Sequence, residues 1–111
     1  MDDISVYFRA LADRKRLRVV QYLARHDQIT VTELGAKLRL SQPLISWHLR
    51  LLRRAGIVTT RRVGRQVWCS LDREALLNYE RRVDRLLGIE DQCAGNVEER
   101  SALNLKTVEH Q

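Results

Sequence analysis

Apolar side chains recur along the start of this chain at the spacing of a helix. Ile4, Tyr7, Phe8 and Leu11 fall at i, i+3, i+4 and i+7, the pattern of one face of an α-helix, and the acids before them suit its positive end. Asp13 is placed to cap a second helix with Leu17, Val20 and Leu23 on one face as far as about Arg25. A third start is the sharpest: Thr30 and Glu33 have the spacing of a capping box, and Ile29 and Leu34 that of a hydrophobic staple. That helix is short, because Arg39-Leu40-Ser41 leads into another capping serine. Pro43 then falls in a first turn, where its missing N–H costs nothing.

From Ser41 onward, Ile45, Leu49 and Leu52 form a helical stripe that stops at Gly56, a natural C′ residue. The period then changes. Ile57 to Val63 and Gln66 to Leu71 are rich in β-branched and aromatic residues, and Gly64-Arg65 between them has the form of a two-residue hairpin turn. Asp72 caps a last helix in which Leu76, Tyr79, Val83 and Leu86 make a narrow seam at spacings of three and four, the pattern of a helix that pairs with another. Gly88 ends it. The predicted fold is mainly α with a small β-hairpin wing, a winged helix-turn-helix in the order α-α-α-α-β-β-α. Residues 1–88 are read as that domain, with dimerising first and last helices, and 89–111 as an acidic, loosely ordered tail.

Charge sharpens this picture. Residues 1–88 hold 18 Lys and Arg against 9 acids, and residues 89–111 hold 2 against 5, within a net +6. A basic body attracts polyanions, nucleic acid or an anionic membrane surface alike. No apolar run approaches the roughly 18 residues that span a bilayer, and the acidic start is unlike a secretory signal, so a cytoplasmic protein without a membrane partner is expected. Two cysteines, Cys69 and Cys93, make no disulfide framework. No nucleophile–base pair, glycine-rich phosphate loop or metal cluster is legible, which argues against an enzyme.

The two helices that meet across Arg39-Leu40-Ser41 form a unit whose second helix enters the major groove of double-stranded DNA. With Ile45, Leu49 and Leu52 inward, Ser41, Gln42, Pro43, Ser46, Trp47 and Arg50 are the candidate DNA-facing residues of that recognition helix. Gln42 and Ser46 are the best base readers: glutamine can bond adenine bidentately, and serine adapts to several base edges. Arg50, Arg53 and Arg54 lie further along and are assigned phosphate contact at most. Arg61, Arg62 and Arg65 cluster on the hairpin, where a wing can lie along the backbone or reach a minor groove.

These residues together resemble the ArsR-type winged-helix repressors. The resemblance runs from Phe8 to Leu87 and rests on Ala10-Leu11-Ala12-Asp13 with Arg16-Leu17-Arg18, on Glu33-Leu34, on Ser41-Gln42 with Ser46-Trp47-His48-Leu49 and Leu52, on Ala55-Gly56-Ile57-Val58, and on Gly64-Arg65-Gln66-Val67-Trp68 through Ser70-Leu71. It implies a homodimer held by the first and last helices, with a seam of Ile4, Tyr7, Phe8, Leu11, Leu76, Tyr79, Val83 and Leu86. It also implies a repressor that binds an imperfect palindrome and is released by an inducer. Trp47 departs from the smaller polar residue or histidine the family often has there. The family's metal sensors often carry cysteines before the turn, where this chain reads Thr30-Val31-Thr32, and others use histidines on the last helix, where Arg73 to Leu87 has none.

No cofactor is therefore predicted, and the signal stays open: a metal or small effector at an unfamiliar site, a thiol switch, or none. Cys69 shares a strand face with Val67 and Leu71 and reads more naturally as a buried thiol, but with Cys93 it is the candidate for redox or persulfide sensing. His48 reads as a hydrogen-bonded boundary residue rather than a ligand. The competing function from a different class is a winged helix that binds protein, for which the recognition-face and wing arginines would be dispensable.

Overall fold

The computed structural model describes residues 3–89, and its elements follow in the order α1 (Asp3–Leu11), α2 (Arg14–Ala24), β1 (Ile29–Thr30), α3 (Val31–Leu38), α4 (Gln42–Arg54), β2 (Val58–Val63), β3 (Gln66–Leu71) and α5 (Arg73–Leu86). The expected winged helix-turn-helix forms, with one addition. Ile29 pairs with Cys69 and Thr30 with Trp68, so the hairpin becomes a three-stranded antiparallel sheet in the order β1-β3-β2. A two-residue strand shows no alternation, and those same two residues carry the staple and cap of α3. Of the tail expected over residues 89–111, everything from residue 90 onward, with Cys93, lies outside the described residues.

Local chemistry sets the helix starts. The Asp13 carboxylate accepts from Lys15 N–H at 2.8 Å and Arg16 N–H at 3.4 Å, Thr30 Oγ1 from Glu33 N–H at 3.2 Å, Ser41 Oγ from Leu44 N–H at 3.4 Å, and Asp72 Oδ1 from Ala75 N–H at 3.0 Å. Each such cap contributes about 1 kcal/mol. The ends of α3 and α4 share one motif. After α4, Gly56 has φ +77° while Gly56 N–H reaches Arg53 O and Ile57 N–H reaches Leu52 O, both at 3.0 Å, the paired bonds of a left-handed helix stop. After α3 the same bonds form from Arg39 to Ala36 and from Leu40 to Gly35, with Arg39 itself at φ 57°.

Across this turn the backbones come close. A Cβ on Gly35 would stand 3.2 Å from Leu40 O and 3.3 Å from Ile45 Cγ2, so the missing side chain is what lets α3 sit against α4. The hairpin closes with Val63 opposite Gln66, and Gly64 takes φ +62° while Arg65 does not, as in a type II′ turn.

Side chains of every layer meet in one core. Val19 and Leu23 of α2, Leu34 and Leu38 of α3, and Ile45, Leu49 and Leu52 of α4 pack with Ile57, Val58 and Cys69 under the sheet. Each large apolar side chain so buried contributes about 1.5–3 kcal/mol. Leu17, expected on the inner face of α2, is instead 45% exposed. Val19 takes its place, because the face that packs is centred on Val19 and Leu23 rather than on Leu17 and Val20.

The expected dimer seam divides. Tyr7 stacks on Tyr79 with ring centroids 4.2 Å apart, and Tyr7, Leu11 and Leu76 pack against the chain's own core. Ile4 and Val83 are half-buried. Phe8 and Leu86 stand 47% and 70% exposed. Among the described residues, packing groups 3–79 as one compact unit, with the boundary inside α5. From Glu80 on, the described chain is the second half of α5 and its stop at Gly88, where Ile89 N–H meets Asp84 O at 3.0 Å.

Candidate nucleic-acid interface

Successive residues turn about 100° on a helix, so Gln42, Ser46, Leu49, Arg50 and Arg53 share one sector of α4. Ile45, His48 and Leu52 point to the core and are buried. The first sector floors a groove of about 340 Å³ whose walls are Val31 and Thr32 at the start of α3 and Thr60, Arg65 and Val67 of the wing. Gln42, Ser46 and Arg50 are thus brought together with Arg65, as residue types suited to base edges and phosphate. Arg53, Thr32 and Thr60 join them. Arg53 Nη1 donates to Thr60 Oγ1 at 3.3 Å and so ties α4 to β2, a link that no local pattern announces.

Four contacts expected of the recognition helix stand outside this groove. Ser41 is exposed, and its hydroxyl is engaged as the α4 cap. Pro43, the second residue of α4, is exposed beside it. Trp47 is 50% exposed and lies about 140° around the helix from Gln42. Arg54, expected near phosphate, lies with Leu51 on a different groove of α4.

The wing arginines divide between two faces. In the β2–β3 pairing Arg61 is opposite Trp68 and Arg62 opposite Val67, and adjacent strand residues point to opposite faces. Arg62 shares the face of Thr60 and Val67, which line the groove, whereas Arg61 is on the reverse face, where its Nη2 donates to Gln28 Oε1 at 3.2 Å. Of the three arginines grouped by sequence, Arg65 lines the groove, Arg62 is on the strand face of Thr60 and Val67 but outside that lining, and Arg61 is on the reverse face.

Behind α4 a polar cluster joins three helices. Arg16 donates through Nε to Ala10 O at 2.7 Å and through Nη2 to Arg9 O at 3.5 Å, pairs with Asp13 at 3.5 Å, and meets His48 Nδ1 at 3.3 Å. His48, expected at the boundary, is only 4% exposed. Burial lowers its pKa, Asp13 counteracts this, and the charges of Arg16 and Lys15 lower it further, leaving it below its ordinary value. Burial raises the Asp13 pKa, but the N–H groups of Lys15 and Arg16 and the Arg16 charge outweigh that and hold it low. At this helix start the Arg16 side chain thus has a charged partner in Asp13.

With this geometry in place, comparison with known proteins decides the family. A helix-turn-helix domain model matches residues 11–61. HlyU from Vibrio cholerae N16961 is 34% identical and superposes with a TM-score of 0.61 over 76% of this chain and 90% of that one. An ArsR-like transcriptional regulator from Rhodococcus sp. RHA1 is 26% identical, with a TM-score of 0.70 over 87% and 91% of the two chains. The chain belongs to the ArsR-type winged helix-turn-helix regulators. A transcriptional repressor SmtB homolog of Synechocystis is 42% identical over 80 residues, which is 72% of this ArsR-type chain and 60% of that relative's length. The domain-model match extends from the end of α1 into β2 and so includes the whole helix-turn-helix.

Thr30, Val31 and Thr32 offer no thiolate, and α5 has no histidine. Cys69 is 1% exposed, its Sγ donates to Ile29 O at 3.3 Å, and burial pushes its thiol up to about 11. At neutral pH it is a protonated core side chain.

Proposed function

We propose that this ArsR-type protein is a transcriptional repressor that binds a palindromic promoter site as a homodimer in the cytoplasm and is released by a signal. The observation that carries the reading is the groove that joins Gln42, Ser46 and Arg50 of α4 to Arg65 of the wing. It combines base-reading amides and hydroxyls with a fork that grips phosphate, on the helix whose start enters the major groove. The repressor name of the Synechocystis relative supports the direction of regulation. The exposed Phe8, Leu77, Leu86 and Leu87 support self-association, since a chain this short gains by covering apolar surface with a second copy, and two-fold symmetry in the protein is matched by a palindrome in the DNA.

A gel shift with DNA from upstream of its own gene tests the reading. Tight binding that survives excess random DNA is expected; equal competition by any sequence overturns it and favours the protein-binding alternative. Sedimentation of the free protein tests the dimer, and Phe8→Asp is expected to shift it toward monomer.

A further inference from the structure

A second groove, of about 550 Å³, opens among α1, α2 and α4. Val6 and Ala10 of α1 and Leu51 of α4 give it an apolar floor, and the guanidinium residues Arg9, Arg16 and Arg54 surround that floor. Among the described residues, the one ion pair in this set is Arg16 with Asp13, so positive charge is in excess. The volume falls within the range of small-molecule sites, which are apolar with a few placed polar groups. Its position separates it from the other surfaces. Leu51 lies about 180° around α4 from Gln42, and Val6 and Arg9 lie on the side of α1 away from Ile4 and Phe8, at about 100° per residue. DNA on the reading face and a second copy on the Ile4–Phe8 face both leave it open.

We propose that this groove binds a small organic anion with an apolar body, a carboxylate on an aliphatic or aromatic frame. The carboxylate pairs with the planar donor forks of Arg9 and Arg54, which match it bidentately, while the body covers Val6, Ala10 and Leu51. A compact inorganic anion satisfies the arginines but leaves the floor wet, and a neutral chain covers the floor but leaves the charge unmatched. An occupant also touches the reverse side of the helix assigned to DNA reading. Leu51 and Arg54 belong to α4, and Arg16 reaches His48 of the same helix. The regulatory consequence rests on the operator reading; the binding does not.

The test is an NMR titration of the DNA-free full chain with sodium decanoate and with 2-naphthoate, against decanol and inorganic phosphate. Saturable shifts centred on the amides of Val6, Arg9, Leu51 and Arg54 are expected, with phosphate and decanol at least about tenfold weaker. Arg9→Met with Arg54→Met is expected to weaken carboxylate binding at least about tenfold while the rest of the spectrum is kept; should that double variant fold poorly, Arg9→Met alone is expected to show several-fold loss. Shifts centred on Gln42, Ser46 and Arg65 or on Phe8 and Leu86, equal binding by decanol, an unchanged affinity in the arginine variants, or no saturation by either carboxylate below about 10 mM overturn the proposal. Because DNA is absent, failure here leaves the operator reading standing, and failure of the gel shift leaves this site standing.

Discussion

Arg16 Nη1 lies 3.3 Å from His48 Nδ1, and since a guanidinium only donates, the imidazole accepts there and carries its proton on Nε2. That Nε2 is buried without a partner. The ring therefore sits neutral beneath α4, with burial, Arg16 and Lys15 disfavouring its charged form against Asp13. The unfolded chain protonates this histidine near its ordinary value of about 6.5, and the folded chain resists until a lower pH. Below that ordinary value the unfolded state binds more protons, so stability is full above it and falls as pH drops through the lowered folded value. Thermal melts from pH 7.5 down to 5.5 are expected to show a falling midpoint, with a flatter profile in His48→Gln. A wild-type midpoint that rises on acidification contradicts the assignment.

Gln42 and Ser46 line the same groove, but their chemistry separates their effects. A bidentate contact to adenine supplies about 1–3 kcal/mol of discrimination against the wrong base. Gln42→Ala is thus expected to lower operator preference about tenfold or more, with a smaller change in binding to random DNA. Ser46→Ala is expected to do less, because one hydroxyl makes a single adaptable bond. Competition binding against a library randomised at the half-site measures both, and an unchanged base preference in Gln42→Ala removes that residue from the readers.

For the wing, the two strand faces give different expectations. Taking one cation away from a phosphate lowers the slope of log affinity against log salt by about 0.9. Arg65→Ala, which removes a groove-lining cation, is expected to show about that change across all sequences. Arg61→Ala removes a side chain engaged with Gln28 on the reverse face and is expected to change the slope by less than half as much. Equal slopes for the two variants contradict the face assignment.

What the sequence made legible is what depends on near neighbours. Thr30, Ser41, Asp13 and Asp72 cap helices within three residues of themselves, and Gly56 and Gly88 stop them, so those boundaries could be read directly. His48 was partly legible, since it falls three residues after Ile45 and four before Leu52 on the buried stripe. Strand alternation likewise separates Arg61 from Arg62 without any coordinates. Arg16 to His48 spans 32 positions and β1 to β3 spans 40 at Ile29 and Cys69; no local period encodes either. The seam shows a further limit, because spacing identifies an apolar face on α5 but not whether Tyr79 meets a second copy or, as here, Tyr7 of its own chain.

Burial of Cys69 yields a chemical test. A thiol pushed up to about 11 by desolvation holds little thiolate at pH 8, and the thiolate is the reactive form. In a Cys93→Ser background the folded protein is expected to resist Ellman's reagent at pH 8, and to react stoichiometrically once urea unfolds it. Prompt labelling of the folded form makes Cys69 an accessible thiol and revives the redox switch.

The Tyr79 side chain holds α5 to the core by two separable interactions. Its hydroxyl donates to Ala55 O at 2.8 Å, just where α4 ends, and its ring stacks on Tyr7 at 4.2 Å. Tyr79→Phe removes only the first and leaves a carbonyl short of a donor, so a loss of about 0.5–1.5 kcal/mol is expected. Tyr7→Leu removes the second, together with the edge-on contact of Tyr7 with Phe8 at 5.4 Å, while keeping most of the apolar volume, and a loss of about 0.5–1.5 kcal/mol for each missing ring pair is expected. Urea midpoints with unchanged slopes measure both in the same dimeric or monomeric state, fixed by working at one protein concentration. Because the two interactions share one side chain, the double variant is expected to lose less than the two single losses combined. A neutral Tyr79→Phe shows that Ala55 O is satisfied by water instead, and that the ring alone holds this part of α5 against α1.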